Sequence, residues 1–162
     1  MRKIFLVTFF IVVVLIITIV VLVRIEKETE GQYFEDIGIE SFFYQDVLES
    51  LGSPISVEVI YGDSEEVVGR RLIYKNLKLA FFKRNEQSIE KYMLNNIRIS
   101  DPNYRIRKKI GVGSSKANVE KELNDLPRIE DVMNGYIDGE VWIEFIFDRD
   151  NKVSEILIYK GP

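Results

Sequence analysis

The first pattern along the chain is a long, unbroken apolar run close to its N-terminus. Residues 4–23 read IFLVTFFIVVVLIITIVVLV, in which Thr8 and Thr18 are the only polar side chains. Twenty residues in a helix span about 30 Å, which matches the hydrocarbon core of a bilayer. The pattern therefore predicts a transmembrane helix over residues 4–23, preceded by a short cytoplasmic tail over residues 1–3.

A cleaved signal peptide is the alternative interpretation of this run. Signal peptides carry a shorter apolar stretch that ends at a small-residue cleavage site, whereas this run is longer and ends in Leu-Val-Arg-Ile-Glu. An uncleaved anchor is favoured, and a lipoprotein is excluded because there is no cysteine. Lysine and arginine are nearly balanced across the run, so the terminal amine and the lack of a large N-terminal domain decide the orientation. The predicted localisation is the cell membrane, single-pass, with a cytoplasmic N-terminus and an extracytoplasmic C-terminal domain.

Two helices are predicted beyond a Glu-rich, solvated stalk over residues 24–35. Phe43, Val47 and Leu51 recur every four residues and predict a helix over residues 41–51, which Gly52 and Pro54 end. The second helix is predicted to begin at Ser114 or Ser115, to turn Val119 and Leu123 toward the core, and to end at Asn124 and Pro127.

Alternation of apolar and polar residues predicts strands around both helices. Such alternation places every second side chain on the same face of a sheet. Gly, Pro, Asn and Asp clusters, among them Asp101-Pro102-Asn103, mark the turns between them. The predicted strands are residues 55–61, 71–82, 93–99, 140–148 and 153–159.

The two helix-containing segments also resemble each other. Val47-x-x-x-Leu51-Gly52 matches Val119-x-x-x-Leu123-Asn124, and alternating strands follow in both segments. Gly and Asn both tolerate the left-handed conformation that closes a helix, so Gly52 and Asn124 are predicted to be equivalent. The predicted fold class is α+β, with an N-terminal transmembrane helix followed by two tandem helix-plus-antiparallel-sheet repeats, over residues 36–108 and 109–162.

The segment over residues 110–127, IGVGSSKANVEKELNDLP, resembles a known motif. Proteins of the β-lactamase inhibitory protein fold, and the related small outer-membrane-assembly lipoproteins, carry an Ile-Gly-x-x-Ser-x-x-x-Val-x-x-x-Leu-Gly-x-Pro-like stretch before a β-meander. This chain departs from it at Asn124, by one residue inserted before Pro127, and at Phe43, where the first copy lacks the serine. The resemblance implies paired units that form a concave, protein-binding sheet.

Composition excludes several classes of chemistry. The chain has no cysteine and no histidine, which removes disulfides, thiolate catalysis, the usual zinc ligands and the commonest proton shuttle. A formal net charge of −4 and a pI near 5.1 argue against nucleic-acid binding. We expect no catalytic residue, no metal and no cofactor.

Two stretches carry a partial motif for ion binding. Residues 148–151, DRDN, begin like a calcium loop but lack the later glycine and glutamate, so a hairpin turn is favoured. Residues 111–116, GVGSSK, place glycines, hydroxyls and a lysine at a helix start, as phosphate sites do. An N-cap at Ser115 explains the same residues equally well and is favoured.

Charged side chains offer two further candidates. The basic run over residues 105–109, RIRKK, fits anionic lipid heads, a cell-wall polymer or an acidic partner. A solvated strand edge is the favoured alternative. Glu140 and Glu144 would share a strand face, as paired acids do in glycoside hydrolases, but unpaired surface acids are far commoner.

The face of the sheet that points away from the helices is the leading candidate for binding. Alternation sends aromatic side chains and a few charges to it, and that composition is typical of interaction surfaces, although packing across strands is an equal alternative. The predicted partner-binding residues are Tyr74, Lys78, Phe82, Trp142, Glu144, Ile146 and Tyr159.

The function expected from these patterns is a membrane-anchored, extracytoplasmic protein-binding module that is not an enzyme. Its expected partners are membrane lipid, through residues 4–23, and another envelope protein, with no nucleic acid. A cell-envelope assembly or structural factor is the first alternative, and a carboxylate-dependent hydrolase is the second.

Overall fold

The computed structural model of the chain describes residues 14, 39, 42–83 and 88–160. Within this part, two short α-helices accompany seven strands. The helices are α1 (Tyr44–Leu51) and α2 (Lys116–Glu122), and a 3₁₀ helix covers Ile89–Lys91. The strands are β1 (Ser56–Tyr61), β2 (Val67–Ile73), β3 (Leu77–Phe82), β4 (Met93–Ile99), β5 (Gly135–Asp138), β6 (Val141–Phe147) and β7 (Val153–Lys160).

All the described strands belong to one antiparallel sheet in the order β1-β2-β3-β4-β7-β6-β5. The predicted fold class, a transmembrane helix followed by two tandem repeats, is therefore wrong. Four strands follow α1 but only three follow α2, and β4 pairs with β7, which joins both segments in a single sheet. The doubled sequence pattern reflects local helix and strand signals, and such local signals do not determine how strands are arranged.

The single-pass membrane assignment is also corrected. Among residues 14, 39, 42–83 and 88–160, no helix is long and apolar enough to cross a membrane. The predicted tail, anchor and stalk, residues 1–35, lie outside the described residues except for Val14, which is helical.

The structure matches the predicted ends of the helices at Ser115 and Gly52 but not at Asn124. Ser115 caps α2, because its hydroxyl oxygen accepts a hydrogen bond from the backbone N–H of Asn118 at 3.2 Å. Gly52 follows α1 at φ +74°, a conformation that glycine adopts readily. Asn124 does not adopt a positive φ, so its predicted equivalence to Gly52 is wrong. Helix α2 ends at Glu122, and Leu123, with φ −114°, is its C-cap residue, one position before Asn124.

The core lies between the helices and one face of the sheet, which we call the inner face. Val47 and Tyr44 of α1 are buried, and the Tyr44 ring meets Phe81 edge-on at 5.3 Å. The side chains of Val119, on α2, and of Leu123, directly after it, are buried in the same cluster. A row of inward side chains runs across the strands through Leu72, Leu79, Ile97, Ile158, Ile143 and Tyr136, all at most 1% exposed.

The edges of the sheet differ in length and exposure. Strand β5, which the sequence analysis missed, has only four residues. Strand β1 has six, and its Val57, Val59 and Tyr61 are 42%, 38% and 63% exposed. Among the described residues, β1 pairs only with β2. Its other edge thus presents unpaired backbone groups beside exposed apolar side chains.

Candidate binding face

The outer face is the side of the sheet opposite the two helices. Strand register places two rows of outward side chains across it, because directly paired residues share a face. The first row consists of Arg71, Ala80, Asn96, Tyr159 and Trp142. The second row consists of Ile73, Lys78, Arg98, Leu157 and Glu144.

Two aromatic side chains lie next to each other on the part of the outer face formed by β6 and β7. The rings of Trp142 and Tyr159 lie 5.8 Å apart at an interplanar angle of 60°. Burial raises the pKa of Tyr159, and the nearby Glu144 carboxylate raises it further, so the phenol stays protonated and able to donate a hydrogen bond. Trp142, Tyr159 and Ile146 are half-buried, which leaves part of each side chain open to a partner.

A concavity of about 400 Å³ opens on the outer face over β2, β3 and β4. Ala80 and Asn96, directly paired on β3 and β4, lie in the concavity, and the small Ala80 side chain helps to keep it open. Three cationic side chains line it, together with Glu58, Phe82, Asn95 and Leu157. We call this the cation pocket, and its three cations are Arg71, Lys78 and Arg98.

The three cations of the pocket are neutralised to different degrees. Arg71 donates to Glu58 at 2.9 Å, which fixes its guanidinium beside the pocket. Arg98 is only loosely paired, at 3.6 Å from Glu155. The Lys78 side chain is exposed, and its ammonium group has no ion pair or hydrogen bond within the part of the chain that is described. The pocket therefore has positive charge that remains available, although the chain as a whole is acidic.

The structure brings most of the predicted site residues to the outer face. Six of them lie there, on β3, β6 and β7: Lys78, Phe82, Trp142, Glu144, Ile146 and Tyr159. They occupy two areas, with Lys78 and Phe82 in the cation pocket and the aromatic pair beside Glu144. Their role in binding a partner stays a prediction.

Tyr74 does not join them. Its hydroxyl donates to the Gly52 carbonyl at 3.0 Å, its ring packs against the core, and burial raises its pKa. The prediction treated residues 71–82 as one strand, whereas a turn separates β2 from β3. Even-numbered residues such as Leu72 therefore point inward before the turn, and odd-numbered residues such as Leu79 point inward after it. Tyr74 follows the numbering before the turn and so lies on the inner side.

Residues that the sequence analysis missed complete the cation pocket. Arg98 lies between the inward Ile97 and Ile99, so alternation alone predicts that it faces outward. Its position directly opposite Lys78 depends on the register between β3 and β4, and no local signal specifies that register. The outward position of Arg71 was not predicted, because Arg71 follows Arg70 and two adjacent arginines interrupt the alternation of apolar and polar residues in β2.

The partial ion-binding motifs have structural roles here. Residues 148–151 form the β6–β7 hairpin turn, where Asp148 accepts hydrogen bonds from the backbone N–H groups of Asp150 and Lys152, both at 2.9 Å. Residues 111–116 include Ser115, whose hydroxyl caps the start of α2. Across the described ranges, no group of three acidic side chains is arranged to hold a metal ion.

The other charged candidates engage the chain's own side chains. In the basic run, Arg107 bonds both Asp125, at 3.1 Å, and Asp138, at 3.2 Å, while Lys109 donates to Glu122 at 2.6 Å. These contacts hold the pKa of Asp125 and that of Glu122 below their usual range. Glu140, one of the two candidate acids, is paired with Lys160 at 3.1 Å.

Comparison with known proteins indicates only the fold. No protein-family model and no curated protein matches the chain. An extracellular protein containing an SCP domain from Bacillus anthracis is 12% identical, with a TM-score of 0.53 over 74% of this chain and 43% of that protein. A cysteine-rich secretory protein from Staphylococcus aureus is 10% identical, with a TM-score of 0.52 over 74% of this chain and 44% of that protein. The chain thus spans less than half of either protein.

A third structure is more distant. A DUF4309 family protein from Bacillus subtilis is 12% identical, with a TM-score of 0.46 over 85% of this chain and 97% of that protein. That score is too low to support an argument. The resemblance to the β-lactamase inhibitory protein fold stays a prediction.

Proposed function

We propose that this protein is a binding module that holds another protein against the outer face of its sheet, and that it does not act as a catalyst. The observation that carries the proposal is the composition of that face. Trp142 and Tyr159 stand beside a concavity that contains Lys78 and Phe82. Aromatic side chains are enriched at the centre of protein interfaces, and polar and charged groups form the rim around them.

The position of the helices supports the same proposal. Both α1 and α2 bury their apolar side chains in the cluster on the inner face. Among the described residues, the outer face is therefore left without a helix, and its aromatic side chains remain partly exposed. Covering these partly exposed apolar side chains with a partner is favourable, because the removal of apolar surface from water lowers the free energy.

Site-specific photo-crosslinking tests the proposal. A photoreactive amino acid at Tyr159, on the outer face, should give protein adducts in the cells that make the chain. The matched control carries the same group at Glu120, an exposed position on α2. The prediction that the partner is an envelope protein is tested by identifying the adducts.

A double substitution sharpens this test. Trp142→Ala with Phe82→Ala removes two half-buried outer side chains and should suppress the adducts at position 159. Circular dichroism and thermal unfolding of the purified full chain should show that the fold persists. Equal adducts from positions 159 and 120, or adducts at 159 that survive the double substitution, would refute the proposal.

A further inference from the structure

We infer that the cation pocket receives carboxylate groups from an extended acidic segment of the bound protein. This inference rests on the proposed function and specifies the chemistry of the partner. In this inference, Lys78 and Arg98 bind the carboxylates of the segment. Asn96 hydrogen-bonds its backbone, and Phe82 packs against its apolar side chains. Lys78 and Arg98 are directly paired, and all four of these residues line the pocket.

The first step is the direct pairing of like charges. Lys78 on β3 lies directly opposite Arg98 on β4, and both side chains project from the outer face. Directly paired residues have Cβ atoms about 4.5–5.5 Å apart, and like charges at such directly opposite positions destabilise the strand pair. An anion placed between the two cations would add two attractions that offset this repulsion. The pairing is thus unfavourable in the free protein and favourable when an anion is bound.

The second step concerns the acids that are already present. Glu155 reaches Arg98 only at 3.6 Å, and both side chains are partly exposed, so this ion pair contributes little and is readily exchanged. Glu58 engages Arg71 at 2.9 Å on the other side of the pocket. The pocket therefore combines one oriented guanidinium with two cations that a ligand is able to engage.

The third step distinguishes a peptide from larger polyanions. The chain carries a net charge of −4, so a long polyanion would meet net repulsion beyond the pocket. The pocket also contains Phe82 and Leu157, which are apolar, and Asn95 and Asn96, whose amides both donate and accept hydrogen bonds. Amides and apolar side chains fit a peptide backbone and its side chains. Carboxylates spaced along an extended peptide fit this arrangement best.

Peptide binding to the full-length chain tests the inference. The probe is a short, fluorescein-labelled oligoglutamate, the control probe is oligoglutamine of equal length, and binding is measured by fluorescence anisotropy. Trp142 is the only tryptophan of the chain and lies on the same face, so its emission gives an independent signal. We expect oligoglutamate to bind, oligoglutamine to bind far more weakly, and the affinity for oligoglutamate to fall as salt is added.

Matched variants assign the binding to the pocket. Lys78→Gln and Arg98→Gln should each weaken oligoglutamate binding about tenfold, because each removes a hydrogen bond between charged groups. Lys121→Gln, an exposed lysine on α2, removes the same charge outside the pocket and should leave the affinity unchanged.

Three results would overturn the inference: equal affinity for the two probes, equal loss in Lys121→Gln and Lys78→Gln, or displacement of the peptide by inorganic phosphate at lower concentration than by acetate. The last result would assign the pocket to phosphate. Failure here is distinguishable from failure of the proposed function. If adducts at position 159 persist while oligoglutamate does not bind, only the acidic-segment inference fails.

Discussion

Charge reversal at Lys78 should stabilise the fold while it removes anion binding. Lys78→Glu replaces a repulsive contact across β3 and β4 with an attractive contact to Arg98. Each favourable or unfavourable charge pair on paired strands is worth about 0.2–1 kcal/mol, so the reversal amounts to about 0.4–2 kcal/mol before screening. Lys78 is exposed and Arg98 is 41% exposed, which places the expected gain in the lower half of that range.

The gain is measurable by urea denaturation of the full chain. A stabilisation of about 0.5–1 kcal/mol corresponds to a rise in melting temperature of about 1–4 °C for a chain of this size. Unfolding should be followed by circular dichroism and by Trp142 emission, at low and at high salt. We expect the gain to shrink as salt is added, since exposed charges are screened.

Lys75→Glu is the matched control, because Lys75 is an exposed lysine in the turn between β2 and β3 and the change in net charge is the same. It should not stabilise the chain as Lys78→Glu does. In the background of Arg98→Gln, the gain from Lys78→Glu should largely disappear, as a double-mutant cycle would reveal. A Lys78→Glu chain that is less stable than the parent at low salt would refute the reasoning about paired cations.

Two further predictions concern the segment around α2. Ser115→Ala should lower the free energy of unfolding by about 1 kcal/mol, because the Asn118 N–H loses its acceptor, whereas Ser53→Ala, at an exposed loop position, should have little effect in the same urea assay. Acid should destabilise the fold in part through Asp125, whose pKa is lowered by the hydrogen bond from Arg107. The stability that this pair provides is present above the ordinary carboxyl pKa and is lost as pH falls through the lower, folded-state pKa. Asp125→Asn should reduce this loss in unfolding curves measured across acidic pH, and an unchanged pH dependence would contradict the assignment.

Sequence reasoning succeeded where a local pattern determines the structure. Alternation identified β4 with its observed bounds, Met93–Ile99, and located β6 and β7 to within one residue at each end. The serine cap and Gly52 marked helix ends because hydrogen bonding and the left-handed conformation restrict which residues fit there. For the same reason, most of the predicted outer residues were assigned to the correct face.

The failures arose where distant parts of the chain decide the structure. Strand β2 contains Gly69, on which a Cβ atom would collide with the Phe81 carbonyl, and the adjacent Arg70 and Arg71 conceal its alternation. Strand β5 is too short to give a pattern. The pairing of β4 with β7, and hence the single sheet, depends on contacts between residues about 60 positions apart. The cation pocket has the same origin, because the opposition of Lys78 and Arg98 exists only after β3 and β4 are in register.

The open edge at β1 affects how the protein must be handled at high concentration. Val57, Val59 and Tyr61 line one side of this strand, while Glu58, its charged side chain, is already engaged by Arg71. Such a strand is a template on which further strands stack, and short apolar strands with little free charge nucleate fibrils. Concentrated samples should therefore lose monomer through edge-to-edge growth, and a lysine in place of Val59 would act as a gatekeeper against it.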